Sequence, residues 1–509
     1  MYGGYGVSLC AANKCSSIVF RYSMTGGMHK RGEEVMYKYM ETKDVTLTVL
    51  KNSKSDQTTR SFPNSVHVDI KTQRVLRMCN LPQDIRTISE GQVKDSFQLE
   101  GLLILLRHGD RGPLTHVRDI STINCAANIH PQFNAYEAYM DNLTGTPQLA
   151  QLLGPFHGFP LLPHRSCSLG QLTHVGVSQL LAIGQALRAV YADRLLFNTS
   201  TPEDFVVYST KYRRTLQSAL AFLYGFLTPE LLHNVVLRES PSLQFCFEDC
   251  ACPTSDMYLR KFNNEKSKHL NLHPAVLKLV NSASLIVYDV YEKNLASDPH
   301  SLRDALLTYV CHGARLPCSA DKSLPTLCVH TDQVSGLLSY IEWEARQYSR
   351  SPTLRRACVL RAYGMIRNIV SYLVRIISEK KPKMVLYSGH DKTILYLATA
   401  LGIAADSTYL SHYASRFIIE VYRSVNKATA ALDSISSDYY FRLLFNGKDM
   451  TNRVQFCKHM LNISVINTKG LSQSLFLCPI HTIIQFLHND YFALFNASNF
   501  KDACILHSK

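Results

Sequence analysis

LLILLRHGDRGP, Leu102 to Pro113, runs five aliphatic residues straight into Arg107, His108, Gly109, Asp110 and Arg111. A short apolar run of this kind reads as a buried strand. Its cationic end needs a separate reason, because charges beside a core must be paired. Either acidic groups meet these arginines inside the protein, or the arginines wait for an anionic ligand.

Two later stretches share the layout. DFVVYSTKYRRTLQSALAFLYGFL (Asp204 to Leu227) reads as a strand, a polar turn at Ser209-Thr210 and a helix with Leu216, Ala219, Leu220 and Leu223 at helical spacing. KMVLYSGHDKTILYLATALGI (Lys383 to Ile403) reads the same way, with Ile394, Leu395, Leu397, Ala398 and Leu401 on the apolar face. Units of this kind predict an α/β fold, a mostly parallel central sheet flanked by helices. Ligands bind outside the carboxyl ends of such strands. Arg107, His108, Arg111, Arg214, His390 and Asp391 are therefore expected on one rim, although they come from three distant segments.

Other stretches set the boundaries. Asn264 to Tyr348 reads as a mainly helical insertion, and a helical cap over the rim is expected mainly from about residues 225–375. After Ser415, RFIIEVYR and YYFRLLFNGKDM alternate like antiparallel strands, with Asn446-Gly447 as a hairpin turn. Residues 1–92 are polar and weakly periodic, and Lys51 to Ser65 reads as a linker. They predict a disordered or stem-like extension ahead of a domain over 93–509.

With 46% hydrophobic and 18% charged residues, the 509-residue chain is globular in composition. Its net charge of +14 favours acidic partners, yet no Lys/Arg-rich cluster or aromatic-basic module supports nucleic acid among them. The 15 cysteines show no zinc-finger or zinc-ribbon spacing, and their odd number leaves at least one thiol unpaired or intermolecular. Four N-x-[ST] sequons, at Asn142, Asn198, Asn462 and Asn496, join the cysteines in pointing to an oxidising, secretory compartment. No apolar span long enough to cross a bilayer and no signal-type apolar segment is visible, so the chain as read carries no membrane anchor.

The arginines indicate the chemistry. Guanidinium forks match phosphate oxygens and stay charged at physiological pH, so Arg107, Arg111 and Arg214 could surround a transferring phosphoryl group. A neutral imidazole at His108 could attack phosphorus. Asp391 could cap a helix or, protonated, give its proton to a leaving alcohol, which would need a raised pKa or a low working pH. Each has a plainer alternative: His108 a core histidine, Arg214 part of a solvated face, Asp391 an ordinary cap.

Taken together, these motifs resemble the histidine acid phosphatases. Arg107 to Pro113 is similar to their RHGxRxP signature, His390-Asp391 to their HD pair, and Ser209-Thr210 followed by Arg214-Thr215 to the block holding a third arginine. LTHVGVSQLLAIGQALR (Leu172 to Arg188) resembles the helix between the first two blocks. The resemblance spans about residues 95–508 and implies the histidine phosphatase fold. It implies a phosphohistidine on His108, phosphate binding by Arg107, Arg111, Arg214 and His390, proton donation by Asp391, and no metal or other cofactor. The family's usual Asp after Ser-Thr is Lys211 here.

LQFCFEDCACP, CHGARLPC and YASRFIIEVY are similar to one branch of the family. That branch is a Golgi type II membrane enzyme that removes the 2-phosphate from xylose in the glycosaminoglycan–protein linkage region. The implied partners are a phosphorylated glycan or proteoglycan linkage region and the glycosyltransferases of linkage synthesis, without nucleic acid. The alternatives are a general lysosomal or secreted acid phosphatase, and a glycan-binding pseudophosphatase.

Overall fold

The computed structural model describes residues 7–11, 14–18, 70–93, 96–126, 134–145, 153–164, 166–232, 235–247, 250–288, 298–319, 327–425, 438–466 and 472–506. The chain forms two compact units, Met1–Thr59 and Arg60–Lys509. In the first, β1 (Val7–Ala11) and β2 (Lys14–Ile18) pair antiparallel. The linker-like stretch Lys51 to Ser65 lies outside the described residues.

The second unit runs α1 (Ile70–Arg77), β3 (Phe97–Arg107), α2 (Asn134–Gly145), α3 (His174–Tyr191), β4 (Phe205–Ser209), α4 (Arg213–Phe226) and β5 (Leu237–Glu239). The helices α5 (Pro253–Asn271), α6 (Pro274–Val287), α7 (Pro299–Cys311), α8 (Thr331–Tyr348) and α9 (Pro352–Glu379) follow. Then come β6 (Met384–Gly389), α10 (Asp391–Ala400), β7 (Arg416–Ser424), β8 (Tyr439–Phe445), β9 (Lys448–Asp449), β10 (Leu461–Ile466) and β11 (Ser472–Pro479), with shorter helical turns between. The strand order is β10-β11-β8-β7-β3-β6-β4-β5, with β9 on β8.

Within this sheet β3, β6, β4 and β5 are parallel, as the strand–turn–helix units require. The rest of the sheet is antiparallel, so the whole is mixed, and the mostly parallel arrangement holds for the half that carries the site. Between β8 and β9 the reason is local, since a two-residue connection permits only antiparallel pairing. Asn446 and Gly447 both have positive φ, 45° and 79°, as a tight hairpin turn demands.

Strand periodicity divides the core into two layers. Leu103 and Leu105 face one cluster with α9 and α10, and Leu102, Ile104 and Leu106 face the other with α3 and α4. All five are at most 2% exposed, and burial contributes up to about 1.5–3 kcal/mol for each. Where β3 ends, Gly109 lies against the first turn of α3. A Cβ on Gly109 would stand 2.4 Å from the Gly176 carbonyl oxygen, so this close approach requires glycine.

Residues 70–92, expected in the extension, are instead folded into the second unit. Lys71 pairs with Asp332 of α8 at 2.7 Å, and Cys79 is bridged to Cys311 at the end of α7. Glu90, 4% exposed, meets Arg416 at 2.6 Å. Polar composition misleads here because these polar groups pair with distant segments, at the surface for Lys71 and in the interior for Glu90, instead of forming a solvated linker.

The other disulfides among the described residues are Cys125–Cys167, Cys246–Cys250, Cys252–Cys504, Cys318–Cys328 and Cys457–Cys478. Cys358 is a buried free thiol. The sequon residues Asn142, Asn462 and Asn496 are exposed, and Asn198 lies in the helical turn Phe197–Thr199. Among the described residues no single helix is long and apolar enough to cross a membrane.

Candidate active site

Register places three loops side by side. On the adjacent parallel strands, Arg107 is opposite Gly389 and Ser209 is opposite Ser388. The ladder continues beyond them: His108 N–H donates to the Gly389 carbonyl at 3.0 Å, and Thr210 N–H to the Ser388 carbonyl at 3.3 Å. His108, Thr210 and His390 therefore leave the sheet together at its carboxyl edge. On the other side of β3, Arg107 N–H donates to the Ser415 carbonyl at 2.9 Å, which brings the Ser411–Tyr413 segment to the same edge.

His108 is buried, and its Nδ1 lies 2.8 Å from the Gly109 carbonyl oxygen. A carbonyl can only accept, so Nδ1 carries the proton in this bond and the free lone pair is on Nε2. Burial, followed by Arg214, Arg107, His390 and Arg111, holds its pKa well below the usual imidazole value. The ring is therefore neutral near pH 7. Its neighbour His390 packs edge-on at 5.6 Å, and His390 Nε2 is 3.0 Å from Thr210 Oγ1. Burial and then Arg214 lower the His390 pKa to about 4.

Three arginines surround this ring. Arg107 donates to the Ser411 carbonyl, and its guanidinium lies 4.4 Å above the Tyr413 ring. Arg111 is held at both ends of its fork by Asp304 of α7, at 2.9 and 3.0 Å. Arg214, from the first turn of α4, stacks 4.2 Å from the Tyr212 ring and approaches the Gly170 carbonyl at 3.4 Å. Burial and Arg111 lower its pKa to about 10, which leaves it charged at neutral pH. The Nε atoms of all three are buried and have no acceptor among the described residues. Each unmatched donor costs about 1–3 kcal/mol, and the oxygens of an anion would relieve that cost.

Asp391 is the first residue of α10, and the cap position belongs to His390, so the ordinary-cap alternative does not apply. Its Oδ1 accepts the Lys392 N–H at 2.7 Å, while Oδ2 lies 3.4 Å from Arg107 Nη2. The side chain is 47% exposed at the mouth of the site. Loss of solvent on its inner side raises its pKa, but Arg107, the Lys392 N–H, Arg111 and His390 outweigh this and hold it well below the carboxylate range. The raised pKa that proton donation would need is absent in the ligand-free protein.

Arg107, His108, Arg111, Arg214, His390 and Asp391 thus converge, each within electrostatic reach of others in the group. Lys211 stands apart: it is exposed and pairs with Glu239 at 3.1 Å. Sequence reasoning missed Asp304 and Tyr413, which anchor two of the arginines, and Arg303, which neighbours them. It also missed His312, whose Nε2 is 2.8 Å from Asp110 in the signature loop. On α7, Arg303 and Asp304 look like part of a solvated helix face, and only the position of that helix over the sheet edge reveals them.

The family model of the histidine phosphatase superfamily (branch 2) matches residues 98–295. The chain is similar to 2-phosphoxylose phosphatase 1 of Homo sapiens, 28% identical over 443 residues, covering 84% of this chain and 86% of that protein. It is also similar to testicular acid phosphatase of Homo sapiens, 28% identical over 276 residues, covering 49% and 60%. Among solved structures, the phytase from Citrobacter braakii aligns with a TM-score of 0.44 at 14% identity, covering 77% of this chain and 97% of that one.

Proposed function

We propose, from the premise that this chain belongs to the histidine phosphatase superfamily, that His108 carries the phosphoryl group in its reaction and that the substrate is xylose 2-phosphate in the glycosaminoglycan–protein linkage region. The chain is a phosphoric monoester hydrolase, as its family match and its phosphatase relatives indicate. The phosphoxylose is taken from the printed name of a relative whose alignment covers 84% of this chain, and the linkage region is what the resemblance of the sequence motifs implies.

One arrangement carries the mechanistic reading: a buried neutral imidazole, with its lone pair on Nε2, among three guanidiniums that still have unmatched donors. In the proposed reaction, Arg107, Arg111, Arg214 and His390 hold the phosphate oxygens, where the negative charge of the transition state resides. His108 Nε2 forms a bond to phosphorus as the P–O bond to the alcohol breaks, and Asp391 gives the departing oxygen its proton. Asp391 then takes a proton from water, the resulting hydroxide attacks phosphorus, and the N–P bond breaks to return neutral His108 and release phosphate. Asp391 is ionised in the free protein, so its proton arrives with the substrate. The incoming phosphate offsets the arginines and adds negative charge nearby, and both effects raise the carboxyl pKa. An acidic optimum follows.

Helices α5 to α8 are the proposed cap, facing the alcohol half of the ester. The six disulfides among the described residues support folding in the secretory pathway. A Golgi site beside the glycosyltransferases of linkage synthesis is where this substrate would be met.

Phosphate release from a phosphoxylose linkage glycopeptide and from an aryl phosphate, with wild type and His108→Ala, tests both halves of the proposal. Wild type is expected to prefer the glycopeptide, and His108→Ala to lose turnover of both by about 10⁴-fold or more. Unchanged release by His108→Ala would refute the nucleophile. Equal cleavage of both esters by wild type would favour a general acid phosphatase, and tight glycopeptide binding without release would make the rim a glycan-binding site.

A further inference from the structure

The signature loop is fastened at a residue that the proposed phosphoryl chemistry leaves idle. Asp110 stands directly before Arg111 and close behind His108. Its Oδ2 accepts from Thr173 Oγ1 at 2.6 Å and from His312 Nε2 at 2.8 Å. A carboxylate accepts, so the proton of the second bond is on His312 Nε2. The His312 and Asp110 side chains are 1% and 3% exposed, and neither partner has solvent as an alternative. A buried pair of this kind adds little net stability, because both groups give up water, and what it fixes is geometry.

His312 is itself held in place. It directly follows Cys311, the last residue of α7, which is bridged to Cys79. The Cys79 carbonyl accepts from Gln179 Nε2 at 2.8 Å, and Gln179 Oε1 accepts the Asp110 N–H at 2.8 Å. These contacts close a ring from Asp110 through His312, the Cys79–Cys311 bridge and Gln179 back to Asp110. Asn80 ties the ring to the cradle, because its Nδ2 donates to the carbonyl of Tyr413, the residue stacked on Arg107. Further back on α7, about 12 Å along the helix from His312, Asp304 grips both ends of the Arg111 fork. The loop therefore meets this helix at two points, one of them anchored by a disulfide.

We propose that His312 is a positioning residue for phosphoryl transfer. By anchoring Asp110 it holds the signature loop against the end of α7. That fixes where Asp304 presents the Arg111 fork, and where His108 Nε2 stands, before substrate arrives. The inference rests on the phosphatase reading and deepens it by a residue that acts only through others. Preorganisation of this sort lowers the barrier more than it tightens ground-state binding.

Kinetics on an aryl phosphate, with calorimetry of vanadate and inorganic phosphate, provide the test, since vanadate can adopt the five-coordinate geometry of the transferring group. His312→Ala is expected to lower kcat by about 10–100-fold while KM changes less than about threefold. Vanadate binding should weaken by about tenfold or more, and phosphate binding by less than about threefold. His312→Gln, whose amide nitrogen reaches about as far as Nε2, should return kcat and vanadate binding to within about threefold of wild type. Unchanged kcat in His312→Ala, whatever its Tm, would overturn the proposal, as would a Gln variant no better than the Ala one. If His312→Ala does not fold, His312→Asn, whose shorter amide falls short of Asp110, replaces it, and equal kcat in the Asn and Gln variants overturns the proposal. If wild type releases no phosphate, the binding measurements decide alone. Vanadate binding lost in His312→Ala and regained in His312→Gln keeps the positioning role and refutes the hydrolase reading. Vanadate binding equal in all three proteins, or absent, removes the positioning role as well.

Discussion

The strand ends and the α7 helix each bring a carboxylate to the arginines, and the two carboxylates are left in opposite conditions. Asp391, at the strand-end side, is half exposed, with one oxygen on a backbone N–H and the other 3.4 Å from Arg107. Asp304, on α7, is 16% exposed and accepts four hydrogen bonds, two of them from Arg111. Burial raises the Asp304 pKa, but Arg111, Arg303 and Tyr413 more than reverse this and leave it lowered. Both groups are ionised, yet only Asp391 has the exposure and the loose contact that would let it exchange a proton with an incoming ligand. A carboxylate beside an arginine is thus a clamp or an acid according to how many of its lone pairs are already taken.

That contrast can be broken by exchanging each carboxylate for its amide. Asp391→Asn is expected to have the larger effect, a loss of about 10²–10⁴-fold in kcat for a sugar or alkyl phosphate and a much smaller one for an aryl phosphate, whose oxygen leaves without a proton. Equal losses on the two classes would remove the proton-donor role. Asp304→Asn is expected to reduce kcat/KM by about tenfold for aryl and alkyl esters alike, because Arg111 loses the charge that fixes its fork. Unfolding should show a stability loss of about 3 kcal/mol, as for a buried pair deprived of one partner. A leaving-group-dependent loss in Asp304→Asn would mean that it, too, handles protons.

The smallest expected effect concerns the strand-end histidines and sharpens the picture of a cationic floor. His108 and His390 have folded pKa values below the unfolded value of about 6.5, so the unfolded chain takes up protons first. Their stabilisation is complete above pH 6.5 and is lost as pH falls towards the folded values, by up to about 1.4 kcal/mol per pH unit for each group. Between pH 6.5 and 5, the stability of His108→Ala should therefore fall less steeply than that of wild type. Parallel slopes would show that His108 already titrates near its ordinary pKa.

Legibility followed the same division. The β3, β4 and β6 units, their shared edge and the Asn446-Gly447 hairpin could all be read from periodicity and turn residues. Glu90, Asn80 and Lys71 could not. In sequence they belong to a polar stretch, while in the fold Glu90 pairs with Arg416 and Asn80 donates to the Tyr413 carbonyl at 2.7 Å. Asp304 and Tyr413 were invisible for the same reason: nothing near them in the chain says which arginine they will meet.

From the sequence alone came three strand–turn–helix units and the grouping of Arg107, His108, Arg111, Arg214, His390 and Asp391. Hydrophobic period and the geometry of parallel strands act over a few residues and need no knowledge of distant contacts. The fold alone decided that Asp304 clamps Arg111 and that Asp391 starts out ionised. Charge–charge energies and lone-pair occupancy depend on separations through space between segments far apart in the chain, and only the folded structure sets those distances.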